Sequence, residues 1–218
     1  MKLLSLIPCL ALLGAGAVYA DTIQYDTTAG SVFNCVNSAS LSGCGTSQIN
    51  IGGIISLTYL PTISSVGVDP ILFPTTYANF GNLQFACIDE TTTCGSQAMP
   101  LGLSLTININ QGLPDLLSGS LPAGLIVGSI AGASSNASIQ WAPGSSLELE
   151  GTNYKVTYAI VSPFVTLSPP ASCTSGSSCG KTTIQGQITE TVIPEPAISL
   201  LCAGGLMAIG GLRLRRKA

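Results

Sequence analysis

The sequence predicts an all-β fold, an antiparallel β-sandwich or jelly-roll-like domain. Three observations predict it. Apolar and polar residues alternate with period two in one segment after another, the pattern of strands with one buried face. Clusters of Gly, Pro, Ser and Asn separate these segments about every 10 to 15 residues. No long segment keeps the 3.6-residue apolar period of an amphipathic helix, which argues against alternating strands and helices.

Along the chain, residues 1–20 stand apart as a signal peptide. Met1-Lys2 supplies a positive start, an apolar run follows, and Val18-Tyr19-Ala20 suits cleavage after Ala20. Cys9 does not make this a lipoprotein leader, because Pro8 stands where a small residue is wanted and the apolar run continues past it. Residues 21–193 are enough for one domain with a core of its own and too few for two. Within them, 22–25 and 31–35 are weak strand candidates. Ile55, Leu57 and Tyr59 form a clearer one, and Leu83, Phe85 and Cys87 another. The stretch 61–82 is punctuated by proline and reads as a long loop with short strands.

The clearest alternation is Leu101, Leu103, Leu105, Ile107 and Ile109, interleaved with Gly102, Ser104, Thr106 and Asn108. The stretch 111–120 (QGLPDLLSGS) suits a single helical turn. Weaker strand candidates follow at 125–130, 138–141, 147–150 and 164–167. Tyr154, Val156, Tyr158 and Ile160 make a strong one. Ile184, Gly186, Ile188, Glu190 and Val192 make the last. One apolar face and one Thr/Ser/Gln/Asn face is what a sheet packed on one side needs.

Charged residues are 8% of the chain, against about 25% in an ordinary soluble protein. Hydrophobic residues are 46%, so this is not the composition of disorder. Between residues 21 and 193 the only cations are Lys155 and Lys181, with no Arg and no His. The acids there are Asp21, Asp26, Asp69, Asp89, Glu90, Asp115, Glu148, Glu150 and Glu190, giving a net charge of −7. Nucleic-acid binding needs Lys and Arg to neutralise phosphates, so that class of partner is excluded.

Six cysteines lie in the domain as three close couples, each around a turn-like stretch. In an exported chain they read as disulfides, and locality favours Cys35–Cys44, Cys87–Cys94 and Cys173–Cys179. A zinc site is the rival reading. It is disfavoured because there is no Cys-x-x-Cys and no His, and an oxidising compartment does not keep thiolates free. No cofactor is implied.

Candidate catalytic groups are few. Glu148 and Glu150 share one face of a predicted strand, and a glycoside hydrolase needs two carboxyls flanking a bond. Neighbours on one strand lie parallel rather than facing each other, so a solvated strand face is the favoured reading. Asp89-Glu90 falls between Cys87 and Cys94, where a calcium loop competes with ordinary turn chemistry, and no calcium-binding spacing is present. Serine catalysis lacks a histidine base, and neither Lys155 nor Lys181 sits in a motif that would replace it. Trp141 and the tyrosines could stack on sugar rings, but Trp141 alternates in phase with Ile139, which favours the core. Asn136-Ala137-Ser138 matches a glycosylation sequon, a triplet common by chance.

The chain ends in three ordered features. Pro194-Glu195-Pro196 stops the last strand, because proline cannot donate to a ladder. Residues 197–212 (AISLLCAGGLMAIGGL) are 16 residues without a charge, a short transmembrane helix. Arg213, Arg215, Arg216 and Lys217 follow as a basic stop. They belong on the cytoplasmic side and so leave the domain outside.

Together these features resemble the PEP-CTERM sorting domain of Gram-negative bacteria, over about the last 25 residues only. An ordinary single-pass anchor is the alternative. A GPI signal would not end in basic residues. The resemblance implies that Pro194, Glu195 and Pro196 are the recognition motif of an exosortase-like sorting enzyme. It also implies export, at least transient membrane anchoring through the tail, and delivery to the cell surface or an exopolysaccharide matrix. With the His-free and Arg-free domain, the expectation is a non-enzymatic surface or biofilm-matrix protein. A carbohydrate-binding or adhesive β-sandwich is the alternative, with a secreted glycoside hydrolase behind it.

Overall fold

The structure, a computed structural model, describes residues 21–36, 41–70, 72–88, 94–170 and 180–193. The leader, the 194–218 tail with its predicted helix, Asp89, Glu90, Cys173 and Cys179 lie outside the described residues. In chain order the strands are β1 (Asp21–Asp26), β2 (Val32–Asn34), β3 (Leu41–Ser42), β4 (Gln48–Ile51), β5 (Ile55–Leu60) and β6 (Ile63–Val68). Next come β7 (Thr75–Cys87), β8 (Gln97–Ala98), β9 (Ser104–Thr106), β10 (Asn108–Leu113), β11 (Leu117–Ser120) and β12 (Gly124–Val127). The last are β13 (Ser129–Ala131), β14 (Ser134–Ser135), β15 (Ser138–Gln140), β16 (Ser146–Glu150), β17 (Tyr154–Ile160), β18 (Phe164–Thr166) and β19 (Lys181–Val192). The fold is all-β, and every strand pairing is antiparallel.

A seven-stranded sheet, β16-β17-β19-β7-β5-β4-β3, forms one layer. A four-stranded sheet, β11-β10-β1-β6, lies across from it. The packing of the two is fixed by Tyr25 of β1, whose ring stands edge-on to Phe80 of β7 at 6.0 Å and to Tyr158 of β17 at 6.1 Å. A five-stranded sheet, β18-β15-β12-β9-β2, continues the four-stranded one: β2 follows β1, β9 precedes β10 and β12 follows β11 in the same lateral order. The two are halves of one interrupted layer. At the interruption Leu121 N donates to Ile107 O at 2.9 Å. Ser31 Oγ donates to Thr27 O at 2.7 Å and accepts from Asn108 N at 2.9 Å. A small β8-β13-β14 sheet completes the set, and residues from all four sheets meet in one apolar core.

Three sequence expectations need correction. The proline-punctuated 61–82 stretch is mostly strand, because Pro61, Pro70 and Pro74 all fall between or just before β6 and β7 rather than inside them. The 111–120 stretch is no helical turn. It is the β10–β11 hairpin, with Pro114 in its turn and Gln111 paired to Leu117. The 101–109 alternation starts late: Leu101 is 93% exposed in a turn with Gly102 at φ +76°, and strand begins at Ser104.

β7 changes its buried phase at its centre. Leu83 and Phe85 point inward, and so does Phe80, because Phe80 and Gly81 together face Ile184 of β19 across a bulge. Gly81 has φ +116°, and Asn79 Oδ1 accepts its N–H at 2.8 Å. The inverted Phe80 ring covers Gly186 so closely that a Cβ there would lie 2.0 Å from it.

The register places several turns at one end of the molecule. Val192 of β19 pairs with Tyr154, so the 151–153 turn is there, and Thr189 pairs with Thr75, so the 69–74 loop is there too. Asp21 pairs with Val68 and Gln24 with Leu113, which adds the start of β1 and the β10–β11 turn. Ile193 N donates to Asn153 O at 2.8 Å at this same end.

Candidate functional site

An open groove of about 630 Å³ lies on the outer face of the four-stranded sheet. Alternation along β1 turns Gln24 and Asp26 outward while Ile23 and Tyr25 are buried. Across the ladder Asp26 is opposite Asn110 and Ile63, and Gln24 is opposite Ser65. The register of β1 against β10 shifts between Gln24 and Tyr25, and the groove lies over that irregularity. Ile63 and Leu116, 81% and 88% exposed, add apolar rims.

The polar groups in the groove are partly held by the protein itself. Asp26 Oδ1 accepts from Thr28 N at 2.9 Å, and Asn110 Nδ2 donates to Ala29 O at 3.2 Å. The lining has amides, hydroxyls and one carboxylate but no Lys or Arg. Such a surface suits a neutral, hydroxyl-rich ligand and repels phosphate or carboxylate. The sequence reading missed this groove, because it depends on β6, β1 and β10 being neighbours, which no local pattern states.

Glu148 and Glu150 are both exposed on one face of β16, with Leu149 buried behind them. Lys155 sits opposite Glu150 and makes an ion pair with Glu148 at 3.1 Å. The carboxylates line up along β16, the edge strand of the seven-stranded sheet, with both side chains exposed. Lys181 is exposed at the start of β19.

Trp141 is buried, 5% exposed, with its indole over Gly124. Of the described tyrosines Tyr77 is exposed, at 75%, whereas Tyr25, Tyr59, Tyr154 and Tyr158 are buried. Asn136 Oδ1 of the sequon accepts from Ser129 N at 2.6 Å and from Ser129 Oγ at 2.8 Å, and Ala137 and Ser138 are buried behind it.

The buried polar groups form a network between the layers. Tyr158 donates to Gln111 Oε1 at 2.8 Å, Gln111 Nε2 lies 3.2 Å from the Tyr154 hydroxyl, and Tyr25 donates to Asn79 O at 2.9 Å. Tyr59 donates to Phe80 O. Burial pushes the Tyr59 hydroxyl up to about 12, with the Thr27 and Ser31 side chains partly offsetting it. Burial, together with the neighbouring Asp115 carboxyl, pushes Tyr154 up to about 12 as well. Tyr25 and Tyr158 are raised by burial too. These phenols stay neutral at physiological pH and hold the layers together. Gln111 was hidden in the sequence, although it continues the Ile107 and Ile109 phase. Glu190 is buried at 2% exposure, in phase with Ile184 and Ile188.

Cys35–Cys44 and Cys87–Cys94 are disulfides, as locality predicts. Cys35, just after β2, is tied to Cys44 in the β3–β4 turn, and Cys87 at the end of β7 is tied to Cys94 ahead of β8; each fits an oxidising compartment. Cys173 and Cys179 lie outside the described residues, as do Pro194, Glu195 and Pro196, expected as a sorting motif, and Arg213, Arg215, Arg216 and Lys217, expected as a basic stop. Among the described residues no three His, Cys, Asp or Glu side chains gather as a metal site would require. Comparison with known protein families, with characterised proteins and with solved structures found no match.

Proposed function

We propose that the chain is a non-enzymatic protein of the cell surface or extracellular matrix of a Gram-negative bacterium, exported by its leader and sorted through a PEP-CTERM-like tail. In this reading the domain is a β-sandwich with jelly-roll-like connections. Its partners are the export machinery, an exosortase-like enzyme, the membrane through the tail, and an exopolysaccharide. The observation that carries the reading is continuity. β19 ends at Val192, and Pro194-Glu195-Pro196, the apolar 197–212 run and the basic cluster follow in sequence with no room for another domain between them. The two disulfides support an oxidising destination.

Intact mass of the surface protein tests the proposal. The expected product begins at Asp21 and lacks Arg213, Arg215, Arg216 and Lys217. Replacing Pro194, Glu195 and Pro196 by alanine leaves the tail attached. A surface-exposed product that keeps the basic end overturns sorting in favour of a permanent anchor.

The groove on the outer face of β1, β6 and β10 favours a second reading, an adhesive module for a neutral glycan. A glycan array probed with and without calcium tests it, and Asn110→Ala removes binding. Uniformly blank arrays overturn it.

A further inference from the structure

We propose that the end of the domain formed by the 69–74 loop and the β10–β11 turn rests on the surface of a lipid bilayer, with Leu72, Phe73 and Leu116 entering the headgroup region. This rests on the reading of 197–212 as a membrane-embedded segment and adds to it an orientation and a contact.

The first observation is exposure. Leu72 is 70% exposed, Phe73 72% and Leu116 88%, and Leu113 and Val192 beside them are 44% and 49% exposed. The two loop residues are held outward by structure. Asp69 and Phe73 exchange backbone bonds at 2.9 and 3.2 Å, and Asp69 Oδ1 accepts from Leu72 N at 2.9 Å. Displaying Leu and Phe to water costs solvation free energy that burial in an apolar medium would recover.

The second observation names that medium. These residues lie at the end where the chain leaves the domain: Glu190 N donates to Pro74 O at 2.9 Å, three residues before Ile193. From Ile193 to Ala197, the first residue of the apolar run, there are four residue steps, and extended chain covers at most about 3.3–3.6 Å per step. The membrane-embedded segment therefore begins within about 14 Å of Ile193, and two prolines stiffen the connection. A domain on so short a tether must present this end, and no other, to the bilayer.

Charge selects the lipid. Asp21, Asp69, Asp115 and Glu150 belong to this end, against Lys155 and, in a product that begins at Asp21, its amino terminus; the balance stays acidic, so anionic headgroups are repelled and zwitterionic ones are not. Leu and Phe on a loop reach the depth of the headgroup boundary, on the order of 5–10 Å.

The test uses the full chain reconstituted in phosphatidylcholine vesicles carrying lipids brominated near the headgroup. Trp141 is buried, so the parent chain sets the baseline. F73W and L116W each add an exposed indole at this end, and L101W adds one at a position 93% exposed on another part of the surface. The expected result is a blue shift and loss of emission from F73W and L116W in brominated vesicles, with L101W unchanged. If the chain floats with vesicles but F73W and L116W are no more quenched than L101W, this inference is overturned while the embedded tail stands. If the chain does not float with vesicles, both fall. A blue shift without quenching means that another protein surface covers the loop, and that also overturns the inference.

Discussion

The smallest unit that decides this structure is the contact between Phe80 and Gly186. A side chain at 186 would take the space of the inverted ring, so Gly186→Ala forces Phe80 out of its position between Tyr25 and Tyr158. Overpacking of this kind costs about 1–3 kcal/mol, and urea unfolding of the variant measures it. The tyrosines make a second prediction. Their hydroxyls titrate near 10 when unfolded, and Tyr59 and Tyr154 are held at about 12 when folded. Between those values the unfolded chain binds fewer protons, so stability is full below pH 10 and falls as pH rises towards 12. Urea midpoints measured from pH 8 upward should show this, and Tyr59→Phe should flatten the slope. Tyr158→Phe leaves Gln111 Oε1 without its donor inside the core, a loss of about 1–3 kcal/mol. In contrast, Glu148→Gln breaks only a solvent-exposed pair, and its effect stays below about 1 kcal/mol.

At the level of strands, much was legible and the failures have causes. β5, β17 and β19 were visible because each alternates with one face in the core, whereas β16 gave only a weaker signal at 147–150. β7 was only half visible: its bulge shifts the buried phase between Phe80 and Leu83, so its first half reads as noise to a period-two search. β12 and β13 were read as one strand across 125–130, whereas Gly128, at φ +100°, divides them between two sheets. β10 and β11 were obscured by Gln111, a buried amide that looks like surface until its partner Tyr158, 47 residues away, is known. The disulfides were legible because each closes a short loop, 9 and 7 residues apart in sequence. Loops of that size contribute about 2–3 kcal/mol by restricting the unfolded chain. Replacing Cys35 and Cys44 together by serine should lower the unfolding free energy by that amount, read by denaturant titration. The groove over β1, β6 and β10 was not legible at all, because Gln24, Ser65 and Asn110 are unremarkable polar residues until the sheet order makes them neighbours.

For the whole molecule, the position of β19 matters most. It is an inner strand of the seven-stranded sheet, bonded to β17 along one side and to β7 along the other, and its last residues lead to the tail. A tail that tethers the domain therefore transmits force along the axis of β19. If the rest of the domain is held by a surrounding matrix, pulling at Ile193 loads both ladders of that strand in shear. The bonds must then give way together rather than one after another, as they would in an edge strand peeled from its end. Were the tail the attachment point, as proposed, load would enter the domain along a strand that is bonded on both sides.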